Sequence, residues 1–308
     1  MFMGTPEFSI STLEALKDSG YDVETIITQP DKPKNRGQKM SHPPVYDYAV
    51  ENNIKVFQPV SLKKENFEDI LINANPDIII VTAYGKILPE YILNYPKYGC
   101  INVHASLLPK YRGAAPIQWS IIDGETKTGV TIMYMEKGLD TGDMILKKEV
   151  DILSDDTYET LHDKLAIAGK SAIIDALKLI ENGNVNAQKQ DDSLSSYAHM
   201  ITKETAKIDW NKSAHEINNL VRGLYPFPKA MTIYLGKLLK VIKTEICDET
   251  TDKNAGTIIK TDKESIFVSC GNNTVIKIKN IQIEGKKAMA VKDFLVGNEI
   301  QTGIILGK

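Results

Sequence analysis

The chain has 308 residues, 42% hydrophobic and 25% charged, with a net charge of −3. That is the balance of a water-soluble globular protein long enough for two domains. Three scattered cysteines, Cys100, Cys247 and Cys270, exclude a disulfide framework and a zinc-binding pattern. No apolar run approaches a membrane span, and no basic leader precedes an apolar core, so a reducing, cytoplasmic setting without membrane attachment is expected. The charge is uneven: residues 201–308 carry 17 Lys and Arg against 12 Asp and Glu. A basic C-terminal part suits a polyanionic partner, and equally an ordinary solvated surface.

In chain order, Met3-Gly4-Thr5-Pro6-Glu7-Phe8 reads as a strand–turn–helix junction, with a proline suited to a first helical turn. Only Met1 precedes Phe2, so the first strand should be short. Helix Pro6–Lys17 and strand Val23–Thr28 follow. The Gly-x-Gly-x-x-Gly spacing of a dinucleotide site is absent. Residues 29–40 form a long loop with two prolines, a glycine and four cations, Lys32, Lys34, Arg36 and Lys39. Cations there suit phosphate contacts. Helices Pro44–Asn52 and Lys63–Asn73 precede strand Asp77–Thr82. Its Ile78-Ile79-Ile80-Val81 run is apolar on both faces, as in a buried parallel strand. Strand Gly99–His104, helix Ala115–Ile122 and strands Val130–Met135 and Met144–Val150 continue the alternation of a doubly wound α/β sheet.

Leu161, Leu165, Ala168, Ala172, Ala176 and Ile180 recur at helical spacing and predict a helix over about 156–182. Asp155 or Asp156 can cap its start and Gly183 its end. Residues 184–207 are polar and turn-rich, a linker by composition. Beyond it, Ser213–Leu224 reads as a helix. Ala230–Tyr234, Lys237–Ile246, Thr257–Lys260, Ser265–Ser269 and Thr274–Ile283 read as strands, which suggests a small barrel.

The chemistry concentrates at Asn102-Val103-His104-Ala105-Ser106-Leu107-Leu108-Pro109, followed by Tyr111-Arg112-Gly113-Ala114-Ala115-Pro116. On a strand, Asn102 and His104 share a face. A polar pair at the carboxyl end of a strand, opening into a Gly/Pro loop, is where open α/β sheets bind ligands. A single histidine at a strand end is more often structural than catalytic. His104 differs from His42, His162, His199 and His215 in having an amide beside it. Two such N–H groups can hold a developing oxyanion. A carboxylate could fix the histidine and accept a proton. Residues 135–144 offer Asp140 and Asp143, and spacing alone prefers neither.

These stretches together resemble the folate-dependent formyltransferases, and within them the methionyl-tRNA formyltransferase family. The resemblance is carried by Met3–Phe8, Pro30-Asp31-Lys32-Pro33 with Arg36-Gly37, Asn102–Pro109, Arg112–Pro116 and Gly138-Leu139-Asp140-Thr141-Gly142. Ile201–Glu204, Ile208-Asp209-Trp210 and Leu220–Pro226 add to it, so it spans essentially the whole chain. At Phe227 and Lys229 the family often has Trp and Gly.

The resemblance implies a Rossmann-like doubly wound catalytic domain over 1–183, a linker over 184–207 and a C-terminal β-barrel resembling an OB fold over 208–308. It implies transfer of a formyl group from 10-formyltetrahydrofolate to the α-amino group of methionyl-initiator tRNA, by a cytoplasmic monomer that uses no metal. Its catalytic trio falls on Asn102, His104 and Asp140. Its folate-contacting segment falls on Ser106, Leu107, Leu108 and Pro109. Its tRNA wedge falls on residues 30–40, with Arg36 at the tRNA-contacting arginine and Lys32, Lys34 and Lys39 as further phosphate contacts. Asn102 and His104 are expected to donate N–H to the formyl oxygen, His104 best as imidazolium, and Asp140 to take the proton from the attacking nitrogen.

Overall fold

The computed structural model describes residues 1–34 and 39–307, with the side chains of Lys34 and Lys39 left aside. The chain packs as two units. The first takes Met1–Pro116, Lys127–Asp151 and His162–His199. The second takes Ile117–Thr126, Ile152–Leu161 and Met200–Lys308. Two short segments of the expected N-terminal domain therefore pack with the C-terminal residues, and residues 184–199 belong to the first unit.

The first unit is built on a seven-stranded sheet. From one edge, its strands are Lys55–Phe57, Thr25–Ile27, Phe2–Gly4, Ile79–Thr82, Cys100–His104, Lys127–Tyr134 and Met144–Asp151. The first five run parallel. The last two are antiparallel to their neighbours. The sheet is thus a parallel α/β core, as the alternation of strands and helices predicts, that closes on an antiparallel hairpin at one side. The Ile78–Val81 run behaves as its composition predicts: Ile79–Thr82 is buried at every position, between Phe2–Gly4 and Cys100–His104. The first strand is short, three residues, as expected.

Helices Phe8–Asp18, Pro44–Glu51 and Lys64–Ala74 fall within two residues of their predicted bounds. The long helix runs Tyr158–Glu181, with Leu165, Ala172 and Ala176 fully buried. Gly169 lies against Val103, where a Cβ would sit 3.5 Å from Cγ1, so this helix packs on the strand that carries Asn102 and His104. Its cap differs from expectation. Thr157 Oγ1 accepts from Thr160 N at 3.3 Å, while Asp156 accepts from Leu153 N and from the Thr160 hydroxyl. Asp156 is drawn into the preceding turn, which leaves the hydroxyl of Thr157, the residue before the helix, to meet the free backbone N–H.

In the second unit, helix Ala214–Gly223 opens with a capping box, the Ser213 side chain and Glu216 each serving the other's backbone N–H. Gly223 lets it approach helix Pro116–Ile122, since a Cβ there would meet Ile122 at 2.9 Å. A sheet follows in the order Ala230–Tyr234, Lys237–Thr250, Thr274–Ile283, Ile266–Ser269, Ile258–Thr261. Its inner face packs Leu239, Val241, Val268, Ile276 and Ile278 with Trp210, Ile217 and Val221. The tail reaches both edges of this sheet: Gly307 N donates to the Ile233 carbonyl and Ile258 N to the Ile304 carbonyl. No helix among the described residues is long and apolar enough to cross a membrane.

Candidate active site

The strand Cys100–His104 ends at the carboxyl edge of the sheet, and Asn102 and His104 project from the same side of it. Both are buried. Antiparallel pairing sets Asn102 opposite Met133 and His104 opposite Thr131. The strand Lys127–Tyr134 then leads into residues 135–143, which return to the site carrying Asp140.

That return is tightly built. At Gly142 a Cβ would stand 1.9 Å from the Tyr134 carbonyl oxygen, so only glycine allows the approach. Asp140 itself has φ +53°, a left-handed conformation uncommon for a residue with a side chain. The conformation delivers its carboxylate to the pair. Asn102 Nδ2 donates toward Asp140 Oδ1 at 3.4 Å, and Gly113 N donates to Oδ2 at 2.8 Å. His104 Nδ1 lies 3.7 Å from Oδ2, beyond hydrogen-bond length. The structure therefore brings Asp140 to the pair, where spacing alone preferred neither Asp140 nor Asp143.

The other face of the imidazole decides its tautomer. His104 Nε2 is 2.9 Å from the carbonyl oxygen of Tyr111. A carbonyl only accepts, so Nε2 carries the hydrogen. A neutral His104 then presents a bare Nδ1 toward Asp140, and only the imidazolium presents an N–H there. The sequence-based expectation did not distinguish the two nitrogens; the structure does.

Ser106, Leu107, Leu108 and Pro109 continue from this strand. Ser106 and Leu108 are fully buried, whereas Leu107 and Pro109 are half-buried. The Ser106 hydroxyl donates to the Lys110 carbonyl, and its own carbonyl accepts from Thr131 Oγ1, each at 2.7 Å. Lys147 Nζ donates to the Leu108 carbonyl. Ser106 and Leu108 thus hold the loop, and only Leu107 and Pro109 offer side-chain surface to a ligand.

Residues from the stretch read as a linker complete the surroundings, and they gather on Arg112. Arg112, 2% exposed, donates through Nε and Nη2 to Gln190 Oε1 and through Nη2 to Asp192 Oδ1. The strand Tyr197–Ala198 pairs in parallel with Arg112–Gly113. The Ser196 hydroxyl accepts from Tyr111 N at 2.9 Å. Gln190, Asp192 and Ser196 come from residues read as a linker; no periodicity marks them, because their partners lie some eighty positions away.

At the basic loop, Lys32–Lys34 and Lys39–Ser41 form an antiparallel hairpin. Lys32 is exposed. Arg36 lies outside the described residues, as do the side chains of Lys34 and Lys39. The base of the hairpin is fixed by Asp31, whose carboxylate accepts from Gln58 at 2.6 Å and meets His42 at 2.9 Å. The Gln58 hydrogen bond, with help from His42, holds that carboxyl below its ordinary range. Among the described residues no group of three or more His, Cys, Asp or Glu could hold a metal ion.

An amide, an imidazole and a carboxylate converge at the carboxyl edge of a parallel sheet, an arrangement of the kind that can hold an oxyanion and pass a proton in group transfer. A family model described as formyl transferase matches residues 1–177, and one described as formyl transferase, C-terminal domain, matches 200–299. The chain belongs to the formyl transferase family. A methionyl-tRNA formyltransferase of Alkaliphilus oremlandii is 50% identical over 308 residues, covering all of this chain and 99% of that protein. That of Clostridioides difficile is 50% identical over 307 residues, with the same coverage. Among solved structures, the sugar 3N-formyl transferase WlaRD, crystallised with dTDP and 5-N-formyl-THF, superposes with a TM-score of 0.68. It is 21% identical, covering 93% of this chain and 97% of its own, and so speaks for the fold alone.

Proposed function

We propose that this chain transfers the formyl group of 10-formyltetrahydrofolate to the α-amino group of methionyl-initiator tRNA, with Asn102, His104 and Asp140 as the catalytic trio. The observation that carries the reading is the convergence of Asn102 Nδ2 and His104 Nδ1 on the two oxygens of Asp140. Identity of 50% to methionyl-tRNA formyltransferases along the full chain supports the substrate pair.

The attacking amine must be neutral. A free α-amino group has a pKa of about 7.7–8.0, and esterification of the neighbouring carboxyl lowers it. The chain therefore supplies positioning, oxyanion stabilisation and proton handling rather than a strong base. The amine nitrogen bonds to the formyl carbon while the formyl oxygen gains charge. Asn102 donates one amide N–H to that oxygen, and the His104 imidazolium donates its Nδ1–H, Nε2–H being spent on Tyr111. Asp140 takes the proton leaving the attacking nitrogen. As the bond from formyl carbon to folate nitrogen breaks, that proton passes to the departing nitrogen.

Leu107 and Pro109, with the backbone of Ser106 and Leu108, contact the folate in this reading. Lys32, Lys34, Arg36 and Lys39 contact tRNA phosphates. Residues 208–308 form an OB-like, tRNA-binding barrel, a reading supported by the tail that bonds to both edges of its sheet. The enzyme acts as a cytoplasmic monomer.

The test is donor-dependent formylation of charged against uncharged initiator tRNA, repeated over a range of salt. The KM for tRNA should rise steeply with salt, because phosphate contacts release counterions. Arg36→Ala should raise it further while leaving folate binding intact. A salt-independent KM would refute the phosphate contacts. No formylation of the charged tRNA would refute the function.

A further inference from the structure

Gln190 lies in the polar stretch that follows the long helix, yet its side chain is buried, 8% exposed. Its carboxamide is fully committed. Nε2 donates to the carbonyl oxygens of Asp140 and Gly142, each at 2.8 Å. Oε1 accepts from Arg112 Nε at 3.0 Å and from Nη2 at 2.8 Å. A carboxamide has two donor hydrogens and two acceptor lone pairs, and all four are used here.

The two carbonyls it holds flank Thr141, in the turn that gives Asp140 its φ of +53°. A left-handed aspartate persists only where its surroundings over-determine it. Gln190 supplies that constraint on the backbone. Gly113 N supplies another on the carboxylate, at 2.8 Å from Oδ2. Arg112, which precedes Gly113, closes the ring by holding Gln190 from behind. Backbone and carboxylate of Asp140 are therefore fixed by one closed set of hydrogen bonds that includes Gln190.

We propose that Gln190 is the positioning residue of Asp140: it touches neither substrate, and it keeps the carboxylate in reach of Asn102 and His104. The proposal rests on the reading of Asp140 as proton acceptor in formyl transfer. A misplacement of about 1 Å in a catalytic group can cost about a hundredfold in rate.

Gln190→Glu is the discriminating variant. It keeps an oxygen for Arg112, so the buried guanidinium retains a partner and the fold is preserved. It replaces both donors to the Asp140 and Gly142 carbonyls by oxygen, which those carbonyls repel. The expected result is a kcat lowered about a hundredfold, KM for both substrates within about twofold, and exchange of the Gly113 amide accelerated about tenfold. Exchange in the core strand Ile79–Thr82 should not change. In an Asp140→Asn background, Gln190→Glu should cost less than about threefold further, since the group it positions is already lost.

Unchanged Gly113 exchange overturns the proposal whatever the activity, and so does wild-type kcat in Gln190→Glu. Equal acceleration of exchange in Ile79–Thr82, or a full hundredfold loss in the Asp140→Asn background, assigns Gln190 a general structural role and also overturns it. Absence of formylation by the wild-type chain refutes the proposed function instead. The exchange measurement still decides whether Gln190 holds the turn.

Discussion

Asp140→Asn probes the carboxylate with almost no change of shape. In the wild-type chain Oδ2 accepts from Gly113 N at 2.8 Å and Oδ1 faces Asn102 Nδ2 at 3.4 Å. An amide has a single oxygen to serve both positions. With its oxygen toward Gly113, its NH2 faces the NH2 of Asn102. Flipped, its NH2 faces the Gly113 N–H at the shorter distance, so the first orientation is the one adopted. The Gly113 bond survives as a neutral one. Charged hydrogen bonds contribute about 1.5–3 kcal/mol and neutral ones about 0.5–1.5, so the fold loses about 1 kcal/mol. A domain of this size should melt a few degrees lower. The chemical loss is much larger, because an amide cannot take the amine's proton. Such an acceptor contributes about 10²–10⁴-fold. Single-turnover formylation at saturating substrates should therefore slow by about a thousandfold, with KM for tRNA within about twofold. A single-turnover rate within tenfold of wild type would refute the assignment of Asp140 as proton acceptor. So would a rate loss explained wholly by an unfolded fraction in the same sample.

Asn102→Ala removes one oxyanion donor and should cost about 2.7–4 kcal/mol of transition-state stabilisation, or about 10²–10³ in kcat, with folate affinity unchanged by equilibrium titration. The Glu216 carboxyl is pushed down to about 2, chiefly by the backbone hydrogen bond from Ser213. A depressed folded-state value stabilises above the unfolded value of about 4.3 and loses that contribution as pH falls toward 2. Urea unfolding should therefore find Glu216→Gln less stable at pH 7, with the gap closing as pH drops below about 4. Burial pushes the Cys100 and Cys270 thiols up to about 12, whereas Cys247 is half-exposed. A thiol reagent at pH 8 should modify Cys247 alone in the native protein and all three after denaturation.

What could be read from residues alone follows physical range. The shared face of Asn102 and His104 follows from strand period, and the buried strand at Ile79–Thr82 from an apolar run. The helix end at Gly183 follows from glycine's ease in the left-handed conformation, which it adopts there. All three are local. Strand direction is not local: nothing in Val130–Met135 distinguishes an antiparallel partner of Cys100–His104 from a further parallel strand. The edge strand Lys55–Phe57 has exposed outer positions and so leaves no apolar signature. Asp140 and Asp143 were equivalent by spacing, and only the fold carries one of them to Asn102 and His104. Gln190 is the least legible. A buried glutamine in a polar stretch has the composition of a linker until its partners are seen.

The chemistry at stake is the formation of an N-formyl bond on a tRNA-borne methionine. The direct measurement is to incubate the purified chain with 10-formyltetrahydrofolate and methionyl-initiator tRNA, hydrolyse the ester and identify the amino acid released. Formylmethionine is expected with the wild-type chain, and only a trace with Asp140→Asn in the same interval. Unmodified methionine from the wild-type reaction, or equal yields from the two proteins, would contradict it.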